Sequence, residues 1–200
     1  MGIRQRIFKR RYEPPTYWEG RAAELIETYD HPETWASRGW MATGIEEELV
    51  PRVLHEHGVR SVLVPGAGSG RQYGYLGGFS VRGFDLSPTL AAAARERYPN
   101  VETAVSDLVD AELVHPPADA VVTTAVLQHI PPDRIEAAVA SLCALAEKLV
   151  VIRETTWLAR RSSYQFAHDY DSLFRGWKLL ESVVTDENAI CRVELRVHRR

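Results

Sequence analysis

The chain has 200 residues, room for one domain with a short extension. Its 24 Lys and Arg against 27 Asp and Glu give a net charge of −3, so no global basic field points to nucleic acid. Cys143 and Cys191 form no C-x-x-C pair, which sets aside a disulfide framework or a zinc site. No apolar run approaches ~18 residues, and the start Met-Gly-Ile-Arg-Gln-Arg has no apolar signal core, so the expectation is a soluble cytoplasmic protein with no membrane span.

Residues 1–16 are basic and end in Pro14-Pro15; they read as an arm. Residues 17–31 carry Trp18, Ala22, Leu25, Ile26 and Tyr29 at helical spacing. Residues 43–57 read as a second helix with Ile45, Leu49, Val53 and Leu54 on its apolar face. Pro51 is expected to kink or break it, and Gly58 to end it. Strand and helix then alternate. Strands are expected at 59–64, 80–84, 101–105, 118–123 and 148–153. Helices are expected at 72–76, at 88–98 and at 133–147, the last opened by a capping box of Asp133 and Glu136. Residues 177–184 and 191–198 read as a terminal hairpin, not another strand–helix–strand unit. The fold class is α/β, a three-layer Rossmann-like sandwich with a mostly parallel sheet. The chain divides into an N-terminal arm and helical lid, residues 1–42, and a ligand-binding domain, residues 43–200.

Two motifs carry the chemistry. Ser61-Val-Leu-Val-Pro-Gly-Ala-Gly-Ser-Gly-Arg71 is a short apolar strand running into a G-x-G-x-G turn. Gly66, Gly68 and Gly70 let the backbone turn tightly and bring main-chain N–H groups to a ligand. Val81-Arg-Gly-Phe-Asp-Leu-Ser-Pro88 is a strand ending on Asp85, about 20 residues after the turn, the offset of an acidic residue that grips ribose hydroxyls. Together they describe a nucleoside crevice at the carboxyl edge of a parallel sheet. The dinucleotide pattern is G-x-G-x-x-G, and this spacing departs from it, which disfavours a nicotinamide dehydrogenase.

With these motifs the chain resembles the class I S-adenosylmethionine-dependent methyltransferases over residues 45–198. Leu63-Val-Pro-Gly-Ala-Gly-Ser-Gly70 corresponds to the family's first motif and Gly83-Phe-Asp-Leu-Ser-Pro88 to its acidic second motif. Val105-Ser-Asp-Leu108 sits where the family often places an Asp near the adenine amino group. The segment from Ala118 to Pro132 matches the strand-four region that leads under the cofactor. The family commonly has an acidic residue where this chain has Val64; the Val-Pro-Gly form occurs in the thiopurine and halide methyltransferase group. The resemblance implies a seven-stranded sheet with the seventh strand antiparallel between strands five and six.

The resemblance also implies roles. S-adenosylmethionine is the expected cofactor, and no metal is expected. Asp85 is the candidate for the ribose diol; Leu86, Asp107 and Leu108 are candidates for the adenine slot. Backbone groups of Gly66, Ala67 and Gly68, with Gly70 completing the turn and Thr124 following strand four, are candidates for the amino-acid end. Tyr17, Trp18, Trp35 and Trp40, interleaved with Arg21 and Arg38, are too aromatic for a solvated arm. They read as a lid, with Tyr17 and Arg21 near the cofactor's carboxylate and Trp18 and Trp40 near the acceptor; a helix packing its aromatic face on the sheet is the alternative. The connection after strand five often shapes the acceptor pocket, which makes Glu154, Trp157, Tyr164, Phe166 and His168 specificity candidates. His129, just beyond strand four, is the candidate general base; a loop-orienting histidine is the alternative.

The expected reaction is in-line methyl transfer to an oxygen or nitrogen of a small molecule. Other readings are a peptide, protein or RNA acceptor, motivated by the basic stretch Arg4-Gln-Arg-Ile-Phe-Lys-Arg-Arg11, and a non-catalytic binding protein that keeps the fold. A homodimer is compatible with the sequence, which does not fix oligomeric state.

Overall fold

The computed structural model describes residues 12–30, 44–159, 163–187 and 191–200. The expectations for Trp35, Arg38, Trp40 and the basic stretch at 4–11 fall outside the described residues.

Helices α1 (Pro14–Asp30) and α2 (Gly44–Glu56) precede the sheet. Then come β1 (Ser61–Pro65), α3 (Arg71–Tyr75), β2 (Ser80–Asp85), α4 (Pro88–Arg97) and β3 (Glu102–Val105). A 3-10 turn (Ala111–Leu113) leads to β4 (Ala118–Thr124), and a second (Leu127–His129) to α5 (Ile135–Ala144). The chain closes with β5 (Ala146–Leu158), α6 (Tyr170–Leu173), β6 (Lys178–Glu187) and β7 (Cys191–Arg199).

The seven strands form one sheet in the order β3-β2-β1-β4-β5-β7-β6. Strands β1 to β5 are parallel. Strand β7 pairs antiparallel with both β5 and β6, as the hairpin reading expects. From β1 the chain moves outward to β2 and β3, then returns to β4 on the other side of β1. That reversal opens a crevice at the carboxyl ends of the strands.

Side chains alternate across each strand, so the sheet buries two separate cores. Leu63, Val121, Val150 and Ile152 face α5, with its Ile135, Val139 and Leu142. Val62, Val64, Val122 and Val151 face α2, with its Val50, Val53 and Leu54. Val64, the departure from the family pattern, is therefore a core residue on the α2 face.

Several boundaries differ from the sequence reading. Helix α2 runs through Pro51 without ending. Its buried stripe is Glu46, Val50, Val53 and Leu54, while Ile45 is exposed. The expected capping box at Asp133 does not form: Arg134 precedes α5 and makes no side-chain cap bond. Strand β5 continues to Leu158 because β7 pairs with it along almost its whole length.

Gly83 tests the packing of α3 on the sheet. A Cβ there would lie 2.1 Å from the Tyr73 hydroxyl and 2.9 Å from the Val64 carbonyl oxygen. That hydroxyl is tied to Thr103 Oγ1 at 3.0 Å, which limits its retreat. G83A should lower stability by about 1–3 kcal/mol, and in a chain of this size each kcal/mol moves Tm by roughly 2–4 °C. Thermal unfolding of the variant checks this; an unchanged Tm would mean that Tyr73 is not packed there.

Candidate active site

The crevice encloses about 500 Å³, within the range of small-ligand sites. Its floor is the loop after β1. Gly66 (φ +64°) and Gly68 (φ +57°) take left-handed backbone conformations. At Gly66 a Cβ would also lie 2.3 Å from Val126 Cγ2. Gly66, Ala67 and Gly68 all line the crevice, as expected. Gly70 does not. Its N–H donates to the Ala67 carbonyl (2.9 Å), and a Cβ there would meet the Tyr98 ring at 2.8 Å. The third glycine is a packed turn residue outside the crevice lining.

Asp85 faces this loop from the end of β2. Its Oδ2 accepts from the Gly68 N–H (2.8 Å) and its Oδ1 from the Ser87 N–H (2.8 Å). Burial raises its pKa, opposed by those amide bonds. Each carboxylate oxygen can accept more than one bond, so capacity for ligand hydroxyls remains. Leu86, Asp107 and Leu108 continue the same wall. Asp107 accepts from the Val109 N–H (3.1 Å) and pairs with Arg134 (3.0 Å).

The opposite end is cationic. Thr124 lines the crevice and donates its hydroxyl proton to Glu46 Oε1 (2.5 Å). Glu46, 1 % exposed, also takes Tyr75 Oη (2.7 Å) and Arg71 Nη2 (2.9 Å). Burial alone would raise the Glu46 pKa, but Arg71, Arg153 and the two hydroxyl bonds outweigh it and hold it low. Burial lowers the Arg153 pKa, with Glu46 opposing that shift. Arg71 and Arg153 both line the crevice.

Helix α1 forms the roof through Trp18, Arg21, Leu25 and Tyr29. It is fastened by Tyr29 Oη to Tyr98 Oη (2.9 Å) and by Glu19, which accepts from the Ser87 and Thr89 hydroxyls. Tyr17, expected at the cofactor, does not line the crevice. It accepts from Arg21 Nη1 (2.9 Å) and stacks on Tyr164 (centroids 5.2 Å), so it steadies two residues that do.

His129 lines the crevice but does not suit the role of base. Its Nδ1 lies 2.6 Å from the Tyr164 carbonyl oxygen, so that nitrogen carries the proton. Its Nε2 then accepts from Gln128 Nε2 at 3.2 Å. Burial, with the Arg21 charge, brings the pKa down to about 4 against the pull of the Tyr164 bond. Both nitrogens are engaged and the ring is a weak base, a wall residue edge-on to Trp18.

Four residues expected in the acceptor pocket, Glu154, Trp157, Phe166 and His168, lie outside the crevice lining. Glu154 is fully buried and accepts from the Val126 (2.9 Å), Leu127 (3.0 Å) and Gln128 (3.0 Å) amides. It holds the loop after β4, and its neighbours Arg153 and Thr155 reach the crevice instead. Trp157 is 48 % exposed and lies outside the crevice lining. His168 Nε2 is 3.1 Å from the carbonyl oxygens of both Leu127 and Ile130, donating into the same loop. The Phe166 N–H also serves that loop, donating to Gln128 O (2.7 Å). Tyr164 and Trp18 do line the crevice, as expected.

Sequence reasoning missed Glu46, Arg71, Gln128 and Arg153. Glu46 was detectable as the acidic member of the stripe 46, 50, 53, 54, at i, i+4, i+7 and i+8. Arg153 was detectable by alternation, because it shares a face with Leu149 and Val151.

Burial raises Glu154 to about 7, against its amide bonds. A carboxyl with a raised folded-state pKa favours folding at low pH, and this contribution fades as pH rises from about 4.3 to about 7. In E154Q the amide group faces N–H donors and nothing titrates, so wild type should exceed it in Tm most at pH 5 and least at pH 8. A Tm difference independent of pH would exclude this assignment. NMR of the His129 ring should show a midpoint at about 4; one near 6.5 would restore it as a base.

Residues 62–148 match the family described as a methyltransferase domain. No curated protein matches the chain. Among solved structures, the Burkholderia thailandensis 1,6-didemethyltoxoflavin-N1-methyltransferase, with 1,6-didemethyltoxoflavin and S-adenosylhomocysteine bound, is 19% identical. That match covers 94% of this chain and 91% of that one, at a TM-score of 0.64. A DhpI–SAM–HEP complex is 21% identical over 92% of this chain and 94% of that one, at 0.65. The magnesium protoporphyrin IX methyltransferase of Synechocystis PCC 6803, with SAM bound, is 20% identical over 77% of each chain, at 0.61. At such identities the likeness is one of fold. Residues 62–148 thus match a methyltransferase domain, and they lie within a seven-stranded sheet whose fold the chain shares with these methyltransferases.

Proposed function

We propose that the protein transfers a methyl group from S-adenosylmethionine to an oxygen or nitrogen of a small molecule. One observation carries the reading of the site: Asp85 and the glycine loop share the Gly68–Asp85 bond at the crevice wall. A carboxylate for a ribose diol and main-chain groups for the other end of the same ligand therefore stand side by side. Asp107, Leu86 and Leu108 offer a flat slot with one polar end for adenine. Gly66, Ala67, Gly68 and Thr124 are the candidates for the amino-acid end, with Arg21 above them in the roof.

When bound, the cofactor supplies an electrophilic methyl group. The chain's own task is to hold an acceptor atom ~3 Å from it, in line, with water excluded. The roof formed by Trp18, Arg21, Leu25 and Tyr29 suits that exclusion and is the proposed role of the N-terminal lid. The neutral, doubly engaged His129 favours an acceptor that needs no base in the pocket, such as a neutral amine or an oxygen already ionised. The small-molecule reading is supported by the toxoflavin and protoporphyrin methyltransferases that share the fold.

Calorimetry should detect binding of both S-adenosylmethionine and S-adenosylhomocysteine. Asp85→Ala removes charge-assisted bonds worth about 1.5–3 kcal/mol each, so cofactor affinity should fall at least ~10-fold. Absence of heat with either compound would end this reading.

A further inference from the structure

The residues assigned to the cofactor come from β2, β1 and β4: Asp85, the glycine loop and Thr124. The next strand along the sheet, β5, places Arg153 beside Thr124. With strands ~4.8 Å apart, β5 lies ~14 Å from β2 along this edge, one strand beyond the proposed amino-acid end.

Arg153 is 3 % exposed, yet it lines the crevice. Its Nε and Nη2 have no hydrogen-bond partner among the described residues. The carboxylate paired with it, Glu46, is 3.9 Å from Nε, beyond hydrogen-bond reach, and already takes Arg71, Tyr75 and Thr124. Glu154 and Asp186 attract it electrostatically. Buried guanidinium donors left without acceptors are costly, and the planar fork of Arg fits an oxyanion through two parallel bonds. The wall beside it is formed by Thr155, Tyr164, Gln165 and Val193.

Resting on the methyltransferase reading, we infer that Arg153 anchors the acceptor: the substrate carries a carboxylate, phosphate or phosphonate group that docks on this guanidinium, next to the methyl-transfer position.

The test uses protein saturated with S-adenosylhomocysteine and titrated with benzoate, phenylphosphonate and the neutral benzamide. Wild type should bind the two anions at least ~10-fold more tightly than benzamide. The Arg153 Nε–H signal should shift on adding benzoate. R153M should lose at least ~10-fold in anion affinity while its affinity for S-adenosylhomocysteine stays within about twofold. R153K, which keeps the charge and loses the fork, should fall between; it also serves if R153M fails to fold. Equal binding of benzoate and benzamide by wild type would overturn the inference. So would a loss of S-adenosylhomocysteine affinity in R153M as large as the loss for anions, because the guanidinium would then hold the cofactor's carboxylate. Failure of wild type to bind S-adenosylhomocysteine at all is a separate result, and strikes the methyltransferase reading itself.

Discussion

A parallel sheet delivers all its strands to one edge, and the loops that leave that edge carry amide groups the ladder no longer satisfies. In this protein two buried carboxylates accept them. Asp85 takes the Gly68 and Ser87 amides, and Glu154 takes three successive amides at Val126, Leu127 and Gln128. The two loops also touch, since Gly66 has room for no side chain against Val126. Each carboxylate therefore fixes the position of its own loop and limits the other. The crevice between them is a by-product of satisfying backbone polarity, and its shape is as firm as those five bonds.

The crevice is electrically asymmetric. Asp85 and Asp107 stand on the β2–β3 side; Arg71 and Arg153 stand on the β4–β5 side, with Arg21 in the roof. Under the proposed function, Asp85 faces the cofactor's hydroxyls and Arg21 and Arg71 its carboxylate, which fits in only one direction and leaves Arg153 to the acceptor. Orientation of this kind matters for an in-line displacement, where reversal of the ligand would place the reacting carbon out of reach. The asymmetry also explains the presence of Glu46 in a buried position. It keeps two guanidinium groups together beneath the crevice, and their charge in turn keeps Glu46 ionised.

The fold was legible in the sequence because its signals are local. Apolar runs bounded by glycine and proline mark the strands, and β7 announced itself as half of a hairpin. The ligand loop was legible because left-handed backbone at Gly66 and Gly68 and an acid after β2 leave a pattern in one dimension. What escaped were groups whose roles depend on distant partners. Glu154 follows a strand and borders aromatic residues, so it read as a pocket residue; only the return of the β4 loop over it shows three amides converging there. His168 misled for the same reason. His129 read as a base from its place and its ordinary pKa, and lost that standing to a carbonyl from Tyr164, 35 positions away. Glu46 was hidden in a run of three acids, of which only a correct helix phase picks out the buried one.

Ser87 has one further consequence. Its amide serves Asp85, while its hydroxyl serves Glu19 on the roof helix. A single turn of chain thus belongs both to the Asp85 wall of the crevice and to the fastening of the cover above it. A substitution at this one position would therefore disturb the crevice wall and the anchorage of its cover together.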